Sequence, residues 1–180
     1  MIVHKTFLEG VLLLKNFFSE DERGEFLKLY NKKSFEFANI KFDVEESFIS
    51  ISRKNVIRGM HFQLPPHDHD KLVSVVNGRI VDVILDLRRT SKTYKKFVSV
   101  ELSDRANTSI FIPRGCAHGF RSLENNTVLI YHTSSVHFPT SDSGINYDSF
   151  GYDWELDNPI ISSRDLHLYE FEEFCKINPF

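Results

Sequence analysis

Three side chains with complementary chemistry lie close together in the middle of the sequence: Arg58, His61 and Lys71. A histidine can hold or release a proton near neutral pH. An arginine suits a phosphate or a carboxylate, and a lysine can stabilise a developing oxyanion. A base, an anion clamp and a cation together suit the removal of a proton from a carbon atom next to a carbonyl group.

Two further residues can supply an acid and an orienting carboxylate. Tyr131 ends an apolar run, where a tyrosine is usually a half-buried packing residue with its hydroxyl at the rim. A phenol also carries a transferable proton, so Tyr131 is a candidate general acid. Asp165 precedes a predicted helix, where it is either a carboxylate of the first turn or the orienting partner of a catalytic histidine. The sequence does not decide between these two roles.

Two histidine motifs bear on the fold and on metal binding. The segment Ile112–Phe120 matches the second cupin signature, whose proline and glycine turn the chain and present a histidine, here His118, on the next strand. His67 and His69 invite a metal site with His118 as a third ligand. However, no glutamate follows the pair at the cupin spacing, and Pro65 and Pro66 indicate a loop. We therefore predict a polar loop here and no metal ion.

Strand patterns dominate the elements that must position these residues. Apolar and polar residues alternate, or apolar residues run together, in six stretches: 48–52, 71–76, 79–87, 96–102, 110–112 and 127–131. Asn77-Gly78 is typical of a β-hairpin turn. Many short strands with turns between them indicate a sandwich or barrel. One helix is predicted from a cap at Ser163–Asp165 through Phe174, and residues 139–158 are predicted to wrap irregularly around the barrel.

Composition limits the class of protein. The chain has 180 residues, of which 41% are hydrophobic and 26% charged, as expected for one folded domain over residues 1–180 with an aromatic-rich core. The net charge of −3 gives no global attraction to nucleic acid or to an anionic membrane. Two cysteines do not make a secreted disulfide framework. With no signal peptide or membrane span in the sequence, we expect a cytoplasmic protein.

Taken in order, the motifs resemble the dTDP-4-dehydrorhamnose 3,5-epimerase family across nearly the whole chain. The matching segments are D-x-R-G-x-F (21–26), N-V-I-R-G-M-H-F-Q (55–63), K-L-V-x-V (71–75), D-V-x-x-D-L-R (82–88), I-P-x-G-x-A-H-G-F (112–120), Tyr131 and S-x-x-D (162–165). The resemblance implies an all-β fold, a double-stranded β-helix (jelly roll, cupin) with a short C-terminal helical segment. It also implies a dimeric isomerase that needs neither metal nor organic cofactor and acts on a nucleotide-linked 4-keto-6-deoxy sugar.

The resemblance also implies a role for each motif residue. His61 would be the base and Asp165 its orienting partner, Lys71 would stabilise the enolate at O4, and Tyr131 would return a proton from the opposite face. Three more residues, Arg58, His118 and Gln63, would hold the sugar and phosphates. Arg23 and Phe26 would reach the substrate from the N-terminal motif, Arg23 binding a diphosphate across the dimer.

Departures from the family pattern concern the base and the sugar pocket. Lys28 stands where many relatives have a glutamate, and Glu46 and Phe48 stand in place of a Gln and an Asn. These exchanges change the hydrogen-bonding pattern offered to a base, and Glu46 could accept from the N–H groups of guanine. The hypothesis is a GDP-linked 4-keto-6-deoxy hexose or heptose used in bacterial surface polysaccharide (capsule or O-antigen) biosynthesis. His137 replaces an aromatic residue and bears on whether C3 alone or both C3 and C5 are inverted.

Three alternatives remain open. The first is a dTDP-4-dehydrorhamnose 3,5-epimerase proper. The second is a metal-dependent cupin enzyme that uses the histidines discussed above. The third is a non-catalytic cupin that binds a sugar nucleotide, although pure binding does not require a matched acid and base.

Overall fold

Alternating apolar and polar residues give the chain its strands, and the computed structural model, which describes all residues from Met1 to Phe180, contains thirteen of them. The strands are β1 Ile2–Lys5, β2 Leu12–Lys15, β3 Phe17–Asp21, β4 Gly24–Lys28, β5 Glu46–Ser52, β6 Ile57–Gln63, β7 Lys71–Asn77, β8 Arg79–Asp86, β9 Phe97–Ser103, β10 Thr108–Ile112, β11 Cys116–Ser122, β12 Thr127–Thr133 and β13 Asp142–Gly144. The helices are α1 Lys32–Phe37, α2 Ser163–Leu166 and α3 Phe171–Ile177, and a 3-10 turn spans Asp104–Ala106.

The strands form two large antiparallel sheets and one separate hairpin. The six-stranded sheet has the order β1-β2-β10-β7-β12-β5, and the five-stranded sheet has the order β13-β6-β11-β8-β9. Strands β3 and β4 pair only with each other. Consecutive strands alternate between the two sheets over much of the chain, as in a jelly roll. The predicted all-β, double-stranded β-helix architecture is confirmed.

Three apolar clusters hold these layers together. The first lies between the two sheets and includes Val73, Ile84 and Leu129. In the second, Trp154 and Phe174 from the C-terminal segment cover the outer face of the five-stranded sheet. The third cluster packs the segment around α1 against the other sheet. The inner cluster includes Phe120 and Tyr131, which also line a cavity between the two sheets.

The predicted hairpin at Asn77-Gly78 is wrong. β7 and β8 belong to different sheets, since β7 lies between β10 and β12, whereas β8 lies between β11 and β9. Both edges of β7 are already occupied, so β8 cannot pair with it. Gly78 has a φ of +84° and makes a corner between the sheets, where a Cβ atom would lie 2.7 Å from Thr127 Oγ1.

Two predictions near the C-terminus need correction. The single predicted helix is two helices, α2 and α3, because the backbone of Tyr169 bridges to Ile145 and its carbonyl accepts from Asn146 N–H. Ser162, not Ser163, caps α2 by accepting from the backbone N–H of Asp165. Residues 139–158 are largely irregular as predicted, but β13 within them adds a strand to the five-stranded sheet.

No helix in the structure combines the length and the apolar character required to cross a membrane.

Candidate active site

A cavity of about 360 Å³ opens between the two sheets, and both sheets contribute to it. From the six-stranded sheet come Glu46, Phe48, Ser50, Lys71, Tyr131 and Thr133; from the five-stranded sheet come Arg58, His61, Gln63, His118 and Asp142. His69 and His137 on connecting segments, and Arg164 on α2, complete the wall. Any molecule in this cavity would therefore be contacted on two sides by strands of different sheets.

His61 and Asp165 form a hydrogen-bonded pair. His61 Nε2 lies 2.8 Å from Asp165 Oδ1, and Asp165 Oδ2 accepts from the backbone N–H of Gly59 at 3.3 Å. The Asp165 side chain is only 5% exposed. Burial alone would raise the pKa of Asp165, but the hydrogen bonds from His61 and Gly59 outweigh it and hold the pKa below its ordinary value.

This pairing decides which nitrogen of His61 can act as a base. An ionised carboxylate can only accept hydrogen bonds, so the proton of neutral His61 resides on Nε2, next to Asp165. Nδ1 then carries a lone pair, and His61 lines the cavity. The arrangement suits a general base whose positive charge, once it has taken a proton, is balanced by Asp165.

Gly59 allows this strand to approach its neighbour. Its φ is +138°, and a Cβ atom there would lie 2.4 Å from Gly119 Cα on β11. The close approach of β6 and β11 places His61 directly opposite His118 in the strand register. His118 Nε2 lies 2.7 Å from the buried Asp82 Oδ1, so these two histidines, on neighbouring strands, are each held by a carboxylate.

Lys71 is a buried cation next to His61. Its Nζ donates to the His61 carbonyl oxygen at 2.9 Å, and the residue is 9% exposed. Burial lowers the pKa of Lys71 to about 8, although the negative charges of Asp142 and Asp82 act in the opposite direction. The side chain is still mostly protonated at neutral pH and can stabilise negative charge that develops in the cavity.

Tyr131 approaches the cavity from the opposite sheet. It lies on β12 and stacks against Phe48 of β5, with ring centroids 4.7 Å apart and an interplanar angle of 12°. Burial raises the pKa of Tyr131, which keeps the phenol protonated and able to act as an acid. The candidate acid Tyr131 and the candidate base His61 therefore belong to facing sheets, with the cavity between them.

The structure brings most of the predicted site residues to this cavity. Its lining includes His61, Lys71, Tyr131, Arg58, Gln63, His118, Glu46 and Phe48, and Asp165 stands behind His61. The amide of Gln63, however, is occupied by protein groups: it accepts from Phe138 N–H at 2.6 Å and donates to the His67 carbonyl at 2.8 Å. Gln63 therefore mainly holds a loop of the cavity wall in place, since its amide is engaged by protein groups.

Three predicted residues lie away from the cavity within one chain. Arg23, Phe26 and Lys28 are on the separate hairpin of β3 and β4. Arg23 is exposed and pairs with Asp21 at 2.6 Å, and Phe26 is 54% exposed. A role for these residues in substrate binding would require a second chain.

The sequence interpretation missed a charged pair in the cavity wall. Arg164 Nη2 lies 2.7 Å from Asp142 Oδ2, and both residues line the cavity. Arg164 directly precedes Asp165 in the sequence, and this position next to the orienting carboxylate could have identified Arg164 as a candidate site residue. Asp142 gave no such signal, because its strand β13 lies in a stretch that has no alternating pattern.

The three histidines considered as metal ligands do not converge. The His67 ring stacks on Phe138 and its Nδ1 lies 2.8 Å from Ser141 Oγ. His69 Nδ1 contacts Gln63, and His118 pairs with Asp82. No group of three or more His, Cys, Asp or Glu side chains in the structure is arranged to hold a metal ion, so the metal-dependent alternative has no ligand set in this site.

Comparison with known proteins gives one consistent result. The family model for dTDP-4-dehydrorhamnose 3,5-epimerase matches residues 5–173. The dTDP-4-dehydrorhamnose 3,5-epimerase of Shigella flexneri is 36% identical over 174 residues, which cover 95% of this chain and 96% of the relative.

Two solved structures extend the likeness to the fold. The dTDP-4-dehydrorhamnose 3,5-epimerase of Bacillus anthracis, solved with TDP and PPi bound, has a TM-score of 0.90 and 33% identity, covering 93% of this chain and 97% of that chain. A 3'-monoepimerase of Streptomyces bikiniensis, in complex with dTDP-quinovose, has a TM-score of 0.90 and 26% identity, covering 97% and 90%. Similarity thus extends to enzymes described as inverting two centres and to one described as inverting a single centre.

Proposed function

The chain belongs to the dTDP-4-dehydrorhamnose 3,5-epimerase family, and we propose that it inverts C3, C5 or both in a dTDP-linked 4-keto-6-deoxy sugar. It is an isomerase of the sugar-nucleotide epimerase class. The observation that carries the proposal is the placement of His61, with Asp165 behind it, and Tyr131 on facing sheets around one cavity. Inversion at carbon requires a base on one face and an acid on the other.

The proposed reaction proceeds through an enolate. His61 Nδ1 takes the proton from the carbon next to the C4 ketone, and the C–H electron pair moves into the enolate, whose negative charge rests on O4. Asp165 balances the positive charge of His61, and Lys71 stabilises O4 at the moment when charge develops there. Tyr131 then donates a proton to the opposite face of the same carbon, which restores the ketone with inverted configuration.

The substrate itself makes a cofactor unnecessary in this scheme. The ketone already acidifies the neighbouring C–H bonds, so no oxidation or reduction step is required, and we propose that the enzyme uses neither a metal nor an organic cofactor. We further propose that residues 1–180 act as one cupin-type epimerase domain in the cytoplasm. Its product would supply a deoxy sugar for a bacterial surface polysaccharide such as capsule or O-antigen.

The comparisons favour dTDP over the GDP hypothesis drawn from the sequence. The similar proteins reported above carry dTDP in their names or hold TDP in their structures. The GDP hypothesis rested on Lys28, Glu46 and Phe48. Of these, Glu46 and Phe48 do lie at the cavity, so a different base contact in this chain retains a structural basis. A GDP-linked substrate is therefore kept as the second candidate.

We also propose that the protein is a homodimer in which the β3–β4 hairpin of each chain reaches the partner's cavity. The hairpin pairs with neither large sheet, and Phe17 and Phe26 on it are 55% and 54% exposed. β5 is an edge strand next to the cavity, and its Ile49 and Ile51 are also exposed. Exposed apolar residues on a free sheet edge are the kind of surface that a partner covers.

The dimer proposal predicts that a charge on the hairpin separates the chains. Phe26→Asp should shift the mass measured by sedimentation equilibrium from two chains to one and lower activity, because Arg23 would lose its partner cavity. Phe37→Asp is the matched control, since Phe37 is 92% exposed on α1 and should stay dimeric. A monomeric wild-type protein that is fully active would contradict the proposal.

The proposed function is tested by proton NMR in D2O with dTDP-4-keto-6-deoxyglucose and GDP-4-keto-6-deoxymannose in separate samples. We expect enzyme-dependent deuterium uptake from the dTDP sugar at C3, or at both C3 and C5, which also counts the inverted centres. Uptake from the GDP sugar at an equal or higher rate would move the base assignment to GDP. Tight binding of both nucleotides with no exchange from either sugar would favour the non-catalytic binding alternative.

A further inference from the structure

Phe48 lies at the rim of the cavity, on the edge strand β5. The sequence interpretation counted it among the residues that bind the substrate's base. In the structure, one face of its ring lies against Tyr131, the candidate acid, with centroids 4.7 Å apart and an interplanar angle of 12°. The contact therefore joins a residue that no step of the proposed reaction uses to one that the reaction requires.

Strand register explains why these two rings meet. Phe48 and Tyr131 are direct partners in the antiparallel pairing of β5 and β12, and partners in such a pair project to the same face of the sheet. On the other side of Tyr131, its partner on β7 is Val73, which is buried in the inner apolar cluster. The Tyr131 ring is thus flanked by Val73 and Phe48, and no strand of the sheet lies beyond Phe48.

Packing is what orients this phenol. Ser50 lies on the same face of β5 and lines the cavity, but its hydroxyl has no hydrogen-bond partner, so it does not tether Tyr131. His118 approaches the Tyr131 ring edge-on, with centroids 6.1 Å apart and an interplanar angle of 68°. Stacked aromatic rings attract each other beyond the area that they bury, so the contact with Phe48 favours one plane of the Tyr131 ring over the others.

Phe48 also shields the phenol from water. Tyr131 is buried although it stands next to the edge strand, and the Phe48 ring on that strand is half-exposed. Burial raises the pKa of Tyr131, so the proton stays on the phenol until an enolate is present to take it. A smaller side chain at position 48 would open this side of the Tyr131 ring to water.

We propose that Phe48 is a positioning residue for Tyr131, whose phenol it holds in the plane from which the enolate is protonated, and that it thereby sets how many proton removals end in inversion. This inference rests on the proposed function. Once His61 has taken a proton, Tyr131 can protonate the opposite face of the enolate, which inverts the carbon. Otherwise His61 returns a proton to the original face, which restores the starting sugar. A displaced phenol favours the second outcome, because proton transfer requires close alignment of donor and acceptor.

The test compares inverted sugar with total deuterium uptake, both measured by proton NMR in D2O with dTDP-4-keto-6-deoxyglucose. Deuterium enters from Tyr131 with inversion, or from His61 with retention after the proton on His61 has exchanged with solvent. Phe48→Leu keeps an apolar side chain but loses the ring, so the number of inversions per deuterium taken up should fall roughly two- to tenfold. Its affinity for dTDP, measured by calorimetry, should equal that of the wild type. Phe48→Tyr keeps the ring and should retain the wild-type ratio.

Two controls separate positioning from damage to the fold. Phe97→Leu makes the same change on β9, the edge strand of the other sheet, where Phe97 packs edge-on against Phe150. It should leave the ratio of inversion to uptake unchanged. In a Tyr131→Phe background no phenol is left to position, so the addition of Phe48→Leu should change the ratio no further.

Several results would overturn this inference. They are an unchanged ratio in Phe48→Leu, an equal fall of the ratio in Phe48→Tyr, and a further fall when Phe48→Leu is added to Tyr131→Phe. Weaker dTDP binding by Phe48→Leu with an unchanged ratio would return Phe48 to the base. A wild type that shows neither uptake nor inversion would overturn the proposed function together with the inference. A wild type that inverts its sugar, with the same ratio in Phe48→Leu, would overturn the inference alone.

A measurement on the wild type covers the case in which Phe48→Leu does not fold. The ring current of a stacked Phe48 should shift the ring protons of Tyr131 upfield in the proton NMR spectrum. These signals are assigned as the ones that are lost in Tyr131→Phe. Tyr131 ring protons at the positions of an unstacked tyrosine would refute the contact.

Discussion

Replacing Asp165 by asparagine should nearly abolish activity without removing substrate binding. Asp165 accepts two hydrogen bonds, one from His61 Nε2 at 2.8 Å and one from Gly59 N–H at 3.3 Å. An asparagine has only one accepting atom. If that atom faces Gly59, the amide NH2 group faces His61, and the imidazole must then place its proton on Nδ1. The atom that should act as the base would no longer have a free lone pair.

The size of the effect follows from these two losses. A hydrogen bond to a charged group contributes about 1.5–3 kcal/mol. Because the charged His61–Asp165 hydrogen bond forms only once His61 has taken the proton, its loss should slow the reaction by a factor of roughly 10–100. Loss of the general base itself removes roughly 10²–10⁴-fold. The two losses overlap because both act through His61, so we expect kcat to fall on the order of 10³-fold.

The assay is the rate of deuterium uptake into the substrate, together with calorimetric titration by dTDP. Asp157→Asn is the control, since this substitution makes the same chemical change at an exposed residue away from the cavity. The dTDP affinity should be unchanged in both variants. An Asp165→Asn enzyme that retains more than about a third of the wild-type kcat would refute the assignment of Asp165 as the residue that orients and balances His61.

Three further predictions concern Lys71, Gly59 and Arg164. Lys71→Met should be inactive yet more stable at pH 7 by about 1–3 kcal/mol, because it removes a buried cation. Burial lowers the folded pKa of Lys71 to about 8 from 10.5, so the unfolded chain binds more protons than the folded chain between these two pH values. Thermal melts should therefore show the full difference in stability between variant and wild type below pH 8, and a difference that shrinks towards pH 10.5. The wild-type kcat should fall as pH rises through about 8, and a flat alkaline limb would count against the cation. Gly59→Ala should lower the free energy of unfolding, measured by urea denaturation, by more than about 3 kcal/mol or prevent folding, because the new Cβ would meet Gly119 Cα. Gly24→Ala is the control: Gly24 also has a positive φ but open space around it, so the loss should be about 1–2 kcal/mol. Similar losses in the two variants would contradict the close approach of β6 and β11. Arg164→Met should raise KM roughly tenfold with little change in kcat or stability, since the side chain is 50% exposed, and an unchanged KM would remove Arg164 from the binding site.

The strands could be predicted from the sequence because their signals are local. The alternation in 48–52 and 96–102 indicates strands, and both stretches are strands in the structure. In 48–52, however, Ile49 and Ile51 lie on the exposed side of the single chain and Ser52 is buried. The prediction of a hairpin at Asn77-Gly78 was wrong because strand pairing is not decided locally. A local turn signal says that the chain changes direction, but which strand becomes the neighbour is decided by β10 and β12, whose positions depend on the whole topology.

The site residues also divide into those with a local sequence signal and those that depend on the whole topology. His61, Lys71 and His118 stand in motifs with distinctive spacing, so the sequence identified them, and the structure places them at one cavity. Asp142 could not be found in this way, because it joins the wall only through the pairing of β13 with β6.

The central claim, that His61 is the base and Tyr131 the acid on the opposite face, is tested most directly by deuterium uptake with His61→Asn and Tyr131→Phe in D2O. Both variants should bind dTDP as the wild type does. We predict that His61→Asn gives no uptake at the reacting carbons, and that Tyr131→Phe still exchanges at least one of these carbons but yields little inverted sugar. Uptake by His61→Asn at the wild-type rate, or normal inversion by Tyr131→Phe, would contradict the account.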